Sequence, residues 1–272
     1  MTDMFEGKIA IVTGGTSGIG YAVSEELLKR GATVWVIGSR KESVEKAKKS
    51  LAAHKKARYM AVDVTVANDV KRMIDTCVKE SGRIDYLFNN AGIGMTCPSR
   101  DLTLDTWKKA IDLNLWGVIH GIHFALPVML KQGSGHIVNT SSIAGIIAPP
   151  CQTVYCATKY AVSGMTEALR YEFAGNGILF TAVCPANVAT AIFAGVEIPK
   201  EAIPADEAAR IILAGVEKNE PVIIFPEMAK AMYERCEKDP AFKDRFMLEL
   251  ARRRNAGWES GVPYLGMPED IR

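Results

Sequence analysis

The chain predicts an α/β fold, a doubly wound parallel sheet of about seven strands with helices on both faces. Two observations carry this: short continuous apolar runs, as strands covered on both faces require, and stretches of helical period between them. A third is a glycine-rich turn set between the first apolar run and the first helical stretch.

The first run, Lys8-Ile-Ala-Ile-Val12, leads through that turn into a helix over residues 19–30. Thr33-Val-Trp-Val-Ile37 repeats the apolar pattern one helix length later and precedes a helix over 41–54. Strands over 57–64 and 84–88 flank a helix over 67–80. A long helix over 104–130 holds the most apolar stretch of the chain. After it come a strand at 135–140, a helix at 154–173, a strand at 178–183, a helix at 206–218 and a strand at 222–225. Residues 227–255 form a further helical region, rich in charge and broken near Asp239-Pro240, which reads as a cap or an interface. No repeat, low-complexity tract or Ser/Gly-rich linker divides the chain. Residues 1–272 therefore read as one domain, with 227–272 as a helical C-terminal extension.

At 272 residues the chain can bury a large core, and 48% apolar with 24% charged residues excludes a disordered class. Its 33 basic and 31 acidic residues leave a net charge of +2, too little to hold a phosphate backbone, so no nucleic-acid partner is expected. Cys77, Cys97, Cys151, Cys156, Cys184 and Cys236 form no CxxC pair, which argues against a disulfide framework or a zinc site and fits a reducing cytoplasm. The start of the chain has no basic-then-apolar signal segment. Asp112, Asn114, His120 and His123 interrupt the apolar stretch 111–130, so no membrane span is expected. His120 and His123 lie three apart without a third ligand and read as structural rather than metal-binding. The run Arg252-Arg253-Arg254 reads as solvent-facing or as a subunit contact.

The turn Thr13-Gly14-Gly15-Thr16-Ser17-Gly18-Ile19-Gly20 has glycines spaced Gly14-x3-Gly18-x-Gly20. Placed between a buried strand and its following helix, such a turn lets backbone N–H groups and the helix N-terminus approach a dinucleotide pyrophosphate, the mark of a Rossmann-like fold. The second strand ends in Gly38-Ser39-Arg40-Lys41, with no acid to accept from a ribose 2′-hydroxyl and two cations to meet a 2′-phosphate. This favours NADP(H), with NAD(H) as the alternative.

The sequence resembles the short-chain dehydrogenase/reductase family in its single-domain branch, from Lys8 to about Phe225. The matching segments are Thr13-Gly14-x3-Gly18-x-Gly20, Asp63-Val64, Asn89-Asn90-Ala91-Gly92, Asn114, Ser142, Tyr155-x3-Lys159 and Pro185-x2-Val188-x-Thr190. The resemblance implies that Asp63 and Val64 border the adenine and that Asn90, Ala91 and Gly92 steady the sheet beside the cofactor. It also implies that Val188 and Thr190 contact the nicotinamide carboxamide, and that Asn114 holds a water linking Lys159 to solvent. Where the family usually has Pro-Gly, this chain has Pro185-Ala186, which adds a methyl group near the nicotinamide and substrate edge.

Tyr155 and Lys159 are four apart and project from one helix face. A nearby ammonium and an oxidised nicotinamide are expected to lower the phenol pKa and make Tyr155 an acid/base for carbonyl chemistry. Ser142, thirteen residues before Tyr155, matches the substrate-orienting serine of the family and can hydrogen-bond the reacting oxygen. Ser141 reads as a residue that satisfies backbone groups.

The resemblance places the substrate among residues 93–97, 143–150 and 191–196, all apolar and without Arg or Lys, which predicts a hydrophobic ketone or secondary alcohol. The expected activity is an NADP(H)-dependent carbonyl reductase, hydroxysteroid-dehydrogenase-like. A cofactor sensor without turnover, an NAD-preferring alcohol dehydrogenase and an isomerase or dehydratase are the rivals, the last disfavoured by chain length. By family analogy the protein is a homodimer or homotetramer.

Overall fold

The computed structural model of the chain describes residues 3–190, 197–266 and 268. Its centre is a seven-stranded, all-parallel sheet in the order β3-β2-β1-β4-β5-β6-β9. The strands are β1 (Ile9–Val12), β2 (Thr33–Gly38), β3 (Ala57–Ala61), β4 (Tyr86–Asn89), β5 (Gly135–Thr140), β6 (Ile178–Pro185) and β9 (Val222–Phe225). Winding runs outward from β1 to β3, then back across to β4 and on to β9. The order reverses between β1 and β4, and the crevice at the carboxyl ends of those two strands is where such sheets take ligands.

Side chains alternate across each strand, so neighbouring residues serve opposite layers. Val12, Val34, Val36 and Phe88 face α1 (Gly18–Lys29) and α7 (Ala205–Glu217), with Leu27, Ile212 and Leu213 in the same core. Ile11, Trp35, Ile37, Leu87, Ile137 and Phe180 face α3 (Ala67–Ser81), α5 (Gly117–Gln132) and α6 (Thr153–Glu172). The remaining sheet helix, α2 (Lys41–Ser50), is shorter than the 41–54 its pattern predicts.

Three further features depart from the sequence expectation. The third strand stops at Ala61 rather than residue 64, because its partner β2 ends at Gly38, opposite Ala61. The helix expected over 104–130 is α4 (Leu104–Ile111), a π-helical turn Asp112–Trp116, and α5. One residue inserted into a turn leaves the apolar period on either side intact, so the pattern does not reveal it. A two-stranded sheet of β7 (Val188–Ala189) and β8 (Ile203–Pro204) is too short to show a period.

By length and composition alone, Leu104–Gln132 is long and apolar enough to cross a bilayer. Here it lies on the sheet, with Val118, Ile122, Ala125 and Met129 buried in the core and Trp116 and Leu130 exposed outside. The C-terminal region forms α8 (Glu227–Lys238) and α9 (Pro240–Glu259), broken at the expected Asp239-Pro240. Asp239 accepts from the Phe242 N–H at 2.9 Å, a side-chain cap with proline in the first turn, which starts the second helix sharply. Cys236, Phe242, Phe246 and Leu250 pack on Ile147 and so bind this hairpin to the loop after β5.

Candidate active site

The glycine turn and the end of β4 meet at the switch point. Thr13 Oγ1 accepts from the N–H groups of Asn90 at 2.9 Å and Ala91 at 3.1 Å, and Asn90 Nδ2 donates to Thr13 O at 3.1 Å. Gly14 has φ +64°, a left-handed conformation that favours glycine. A Cβ on Gly20 would sit 2.4 Å from both Asn90 Nδ2 and Gly14 O, so no larger residue fits there. The N-cap of α1, Ser17, makes no side-chain cap bond, and the first turn holds no acid. The first N–H groups of α1 and its positive dipole end are therefore left to a ligand, and Ser17, Gly18 and Ile19 line the cavity beside it. A bound pyrophosphate fits this cradle.

The acid/base candidates lie on the same cavity. Tyr155, Lys159 and Ser142 line it, and the Ser142 hydroxyl lies where it favours the Tyr155 phenolate. Ser142 is held by accepting from the Ala144 N–H at 3.1 Å and donates to Pro185 O over a long 3.3 Å. Ser141 donates to Lys159 O at 2.8 Å, the backbone role expected of it. Buried Lys159 donates from Nζ to Thr140 O at 2.8 Å and lies 5.7 Å from the Tyr155 ring centroid.

Asn114 sits in the π-helical turn, fully buried. Its amide is spent on Ile93, accepting from N–H at 2.8 Å and donating to O at 3.0 Å, with a longer bond to Thr158 Oγ1. A Cβ on Gly92 would lie 3.0 Å from Asn114 Oδ1 and 3.7 Å from Lys159 Nζ, so the two side chains flank one glycine.

Burial changes the expected protonation. The Tyr155 phenol is pushed above its usual value by desolvation, with the Ser142 hydrogen bond pulling the other way. Burial lowers Lys159 itself from 10.5 to about 8. A lysine depressed in the folded state costs stability wherever it must stay charged. The cost, about 3 kcal/mol, is present in full below pH 8 and is relieved as pH rises from about 8 towards 10.5. In the cofactor-free protein, Lys159→Met should therefore gain most in stability over wild type near pH 7, and the gap should close towards pH 10. Urea melts at the two pH values measure it, and a gap independent of pH would refute this balance.

Thr16, Ser39, Arg40, Asp63 and Val64 form a separate patch at the ends of β2 and β3. A Cβ on Gly38 would strike the Thr16 side chain at 2.6 Å, and the Val62 N–H donates to Gly38 O. Ser39 and Arg40 are exposed, and Arg40 makes no ion pair among the described residues. Asp63 Oδ1 accepts from Thr65 N and Oγ1, and His120 Nδ1 bonds to Val64 O. His123 packs edge-on against Phe124. At the other end of the cavity, Pro185, Val188 and Thr190 join Asn90, Ala91 and Gly92 on the wall.

The cavity measures about 710 Å³. Two of the expected substrate segments contribute to it, through Ile93, Met95, Ile143 and Pro149 among others, while residues 191–196 lie outside the described residues. The expected segments carry no Arg or Lys, but α9 adds a cation beside them by laying Phe246, Met247, Leu250, Arg254 and Trp258 on the wall. Arg254 is neither solvent-facing nor a surface contact but is buried at 8% exposure. Arg252 and Arg253 pair with Glu249 at 2.6 and 2.7 Å. The spacing 247, 250, 254, 258 is a helical stripe that the sequence does contain, though nothing local says what it faces.

The sequence model of the short chain dehydrogenases matches residues 8–200. An uncharacterised oxidoreductase of Staphylococcus saprophyticus is 37% identical over 227 residues, covering 79% of this chain and 91% of that protein. One of Listeria monocytogenes is 39% identical over 186 residues, covering 67% and 75%. Among solved structures, a short chain dehydrogenase/reductase from Burkholderia phymatum in complex with NAD superposes with a TM-score of 0.77 over 100% of both chains, at 24% identity. Levodione reductase superposes with a TM-score of 0.75 at 26% identity, over 84% of this chain and 99% of that one.

Proposed function

The chain belongs to the short-chain dehydrogenase family, and from that premise we propose that it reduces a largely apolar ketone to a secondary alcohol with NADP(H), running the reverse reaction when alcohol is in excess. The observation that carries this reading is Tyr155 and Ser142 together, with Lys159 Nζ beside the Tyr155 ring, on the cavity wall shared with the Gly14–Ile19 turn.

Gly14, Thr16, Ser17, Gly18, Ile19 and Gly20 would receive the pyrophosphate. Ser39 and Arg40 would meet the 2′-phosphate and Asp63 and Val64 the adenine, while Asn90, Ala91, Gly92, Pro185, Val188 and Thr190 would hold the nicotinamide end. The bound cofactor supplies the hydride. Ser142 holds the carbonyl oxygen by its Oγ, and Tyr155 donates its phenolic proton to that oxygen as charge develops there. Burial suits this direction, since the neutral phenol is the form that donates. Lys159 keeps a positive charge behind the phenol, which eases its passage to phenolate, and Asn114 secures the Ile93 segment beside it. A solved relative named for reducing levodione supports carbonyl chemistry.

Residues 1–272 act as one catalytic domain in this reading, with 227–272 closing the pocket. The exposed apolar side chains of Trp116, at the end of the π-helical turn, and Leu130, on α5, suit a homodimer or homotetramer. Six free cysteines suit a cytoplasmic enzyme.

Following NADPH and NADH absorbance with a panel of ketones, steroid ketones included, tests the reading. Carbonyl-dependent oxidation, faster with NADPH, is expected. Tight NADPH binding without oxidation by any carbonyl compound would instead make the protein a cofactor sensor.

A further inference from the structure

The face that α9 turns to the cavity is apolar except at one position. Met247, Leu250, Arg254 and Trp258 follow one another at three- and four-residue steps, so a guanidinium stands in a stripe otherwise suited to an oily ligand. Arg254 is 8% exposed, and its Nη1 donates to Pro150 O at 2.7 Å. Its Nε is buried without a partner, and no carboxylate lies within ion-pair distance of the side chain among the described residues. Cys151, Cys156 and Tyr264 lie near it, and the Cys156 thiol is pushed up to about 11 by burial. Burial lowers the guanidinium only to about 10, so it stays cationic.

A buried cation normally has a counter-charge, because desolvating it alone is costly. Holding the Pro150 carbonyl needs a single donor, whereas arginine brings five in a planar fork shaped for a carboxylate. No Asp or Glu lines the described cavity wall, and its other cation, Lys159, is already committed to Thr140 O. The charge that completes Arg254 is thus left to the ligand.

We propose that Arg254 binds the carboxylate of the substrate, which makes that substrate an oxo acid: a ketone at Tyr155, an apolar body along Met247 and Leu250, and an acid group at Arg254. This rests on the redox reading above. The oxo acid would take a hydride from bound NADPH at its carbonyl carbon and a proton from Tyr155 at its oxygen, leaving a hydroxy acid, NADP+ and a Tyr155 phenolate that regains its proton from water. Arg254 is then a specificity residue, remote from the reacting atoms.

The test pairs acids with their neutral amides: para-acetylbenzoate with para-acetylbenzamide, and methyl ketones bearing a terminal carboxylate on chains of increasing length with their terminal amides. The readout is the ratio of kcat/KM for acid over amide in wild type, R254Q and R254K. Wild type should favour the acid by about 10²-fold at the fitting length, as expected for a charge-assisted bidentate bond. R254Q should bring the ratio close to one, and R254K should restore part of it. A wild-type ratio near one at every length overturns the proposal. So does an R254Q that slows acid and amide equally, which would make Arg254 only a fastening for Pro150, or one that weakens NADPH and leaves the ratio alone. If no carbonyl compound is turned over, the redox reading fails by itself, and the carboxylate site is judged by melting of the NADPH complex. Para-isopropylbenzoate, but not its amide, should then raise Tm in wild type and not in R254Q; no such difference overturns it.

Discussion

Tyr155→Phe is expected to lower kcat for ketone reduction by about 10³-fold while leaving NADPH affinity nearly unchanged. The substitution removes one oxygen from a side chain whose ring stays packed, so the cavity keeps its shape and loses its proton donor. General acids contribute on the order of 10² to 10⁴ to such rates, and among the described residues nothing else on the wall is placed to replace the phenol. Lys159 donates to Thr140 O, and the Ser142 hydroxyl is too weak an acid to give its proton up. Steady-state reduction together with NADPH fluorescence titration gives both quantities. A variant that binds NADPH and still reduces ketones within tenfold of wild type would remove Tyr155 from the reaction and with it the proposed mechanism.

The second large effect concerns the cofactor. Arg40→Asp is expected to lower the ratio of kcat/KM for NADPH over NADH by about 10²-fold, through loss of a charge-assisted bond to the 2′-phosphate and gain of a like charge. Folding should tolerate the change. Arg40 is exposed and occupies the N-cap of α2, where Asp is a favoured residue and its charge suits the helix dipole. The ratio therefore reports recognition rather than damage. If it does not move, Arg40 is a solvated helix residue and the preference for NADP(H) has lost its support.

Sequence reading reached far into this site because much of it is local. The Gly14–Gly20 turn joins a strand to the helix beside it, and its spacing states where backbone must approach a ligand. Tyr155 and Lys159 share a helix face at four-residue spacing, which any helix preserves. Asn114 comes from the family resemblance, which does not give its setting: a π-helical turn buries it and commits its amide to Ile93. An inserted residue leaves no trace in an apolar period that resumes on both sides.

The alternation of apolar runs and helical stretches was enough by itself to determine the parallel sheet, its winding and the cradle for a dinucleotide. Those properties arise from contacts within a strand, a turn or a helix, and so from neighbouring residues. The tertiary structure alone decided the burial that raises the Tyr155 phenol and lowers the Lys159 ammonium, and the place of Arg254. Desolvation depends on which distant segments close over a group, and the bond from Arg254 to Pro150 spans 104 residues. A run of three arginines reads as surface charge until α9 folds back over the loop after β5 and turns one of them into the pocket.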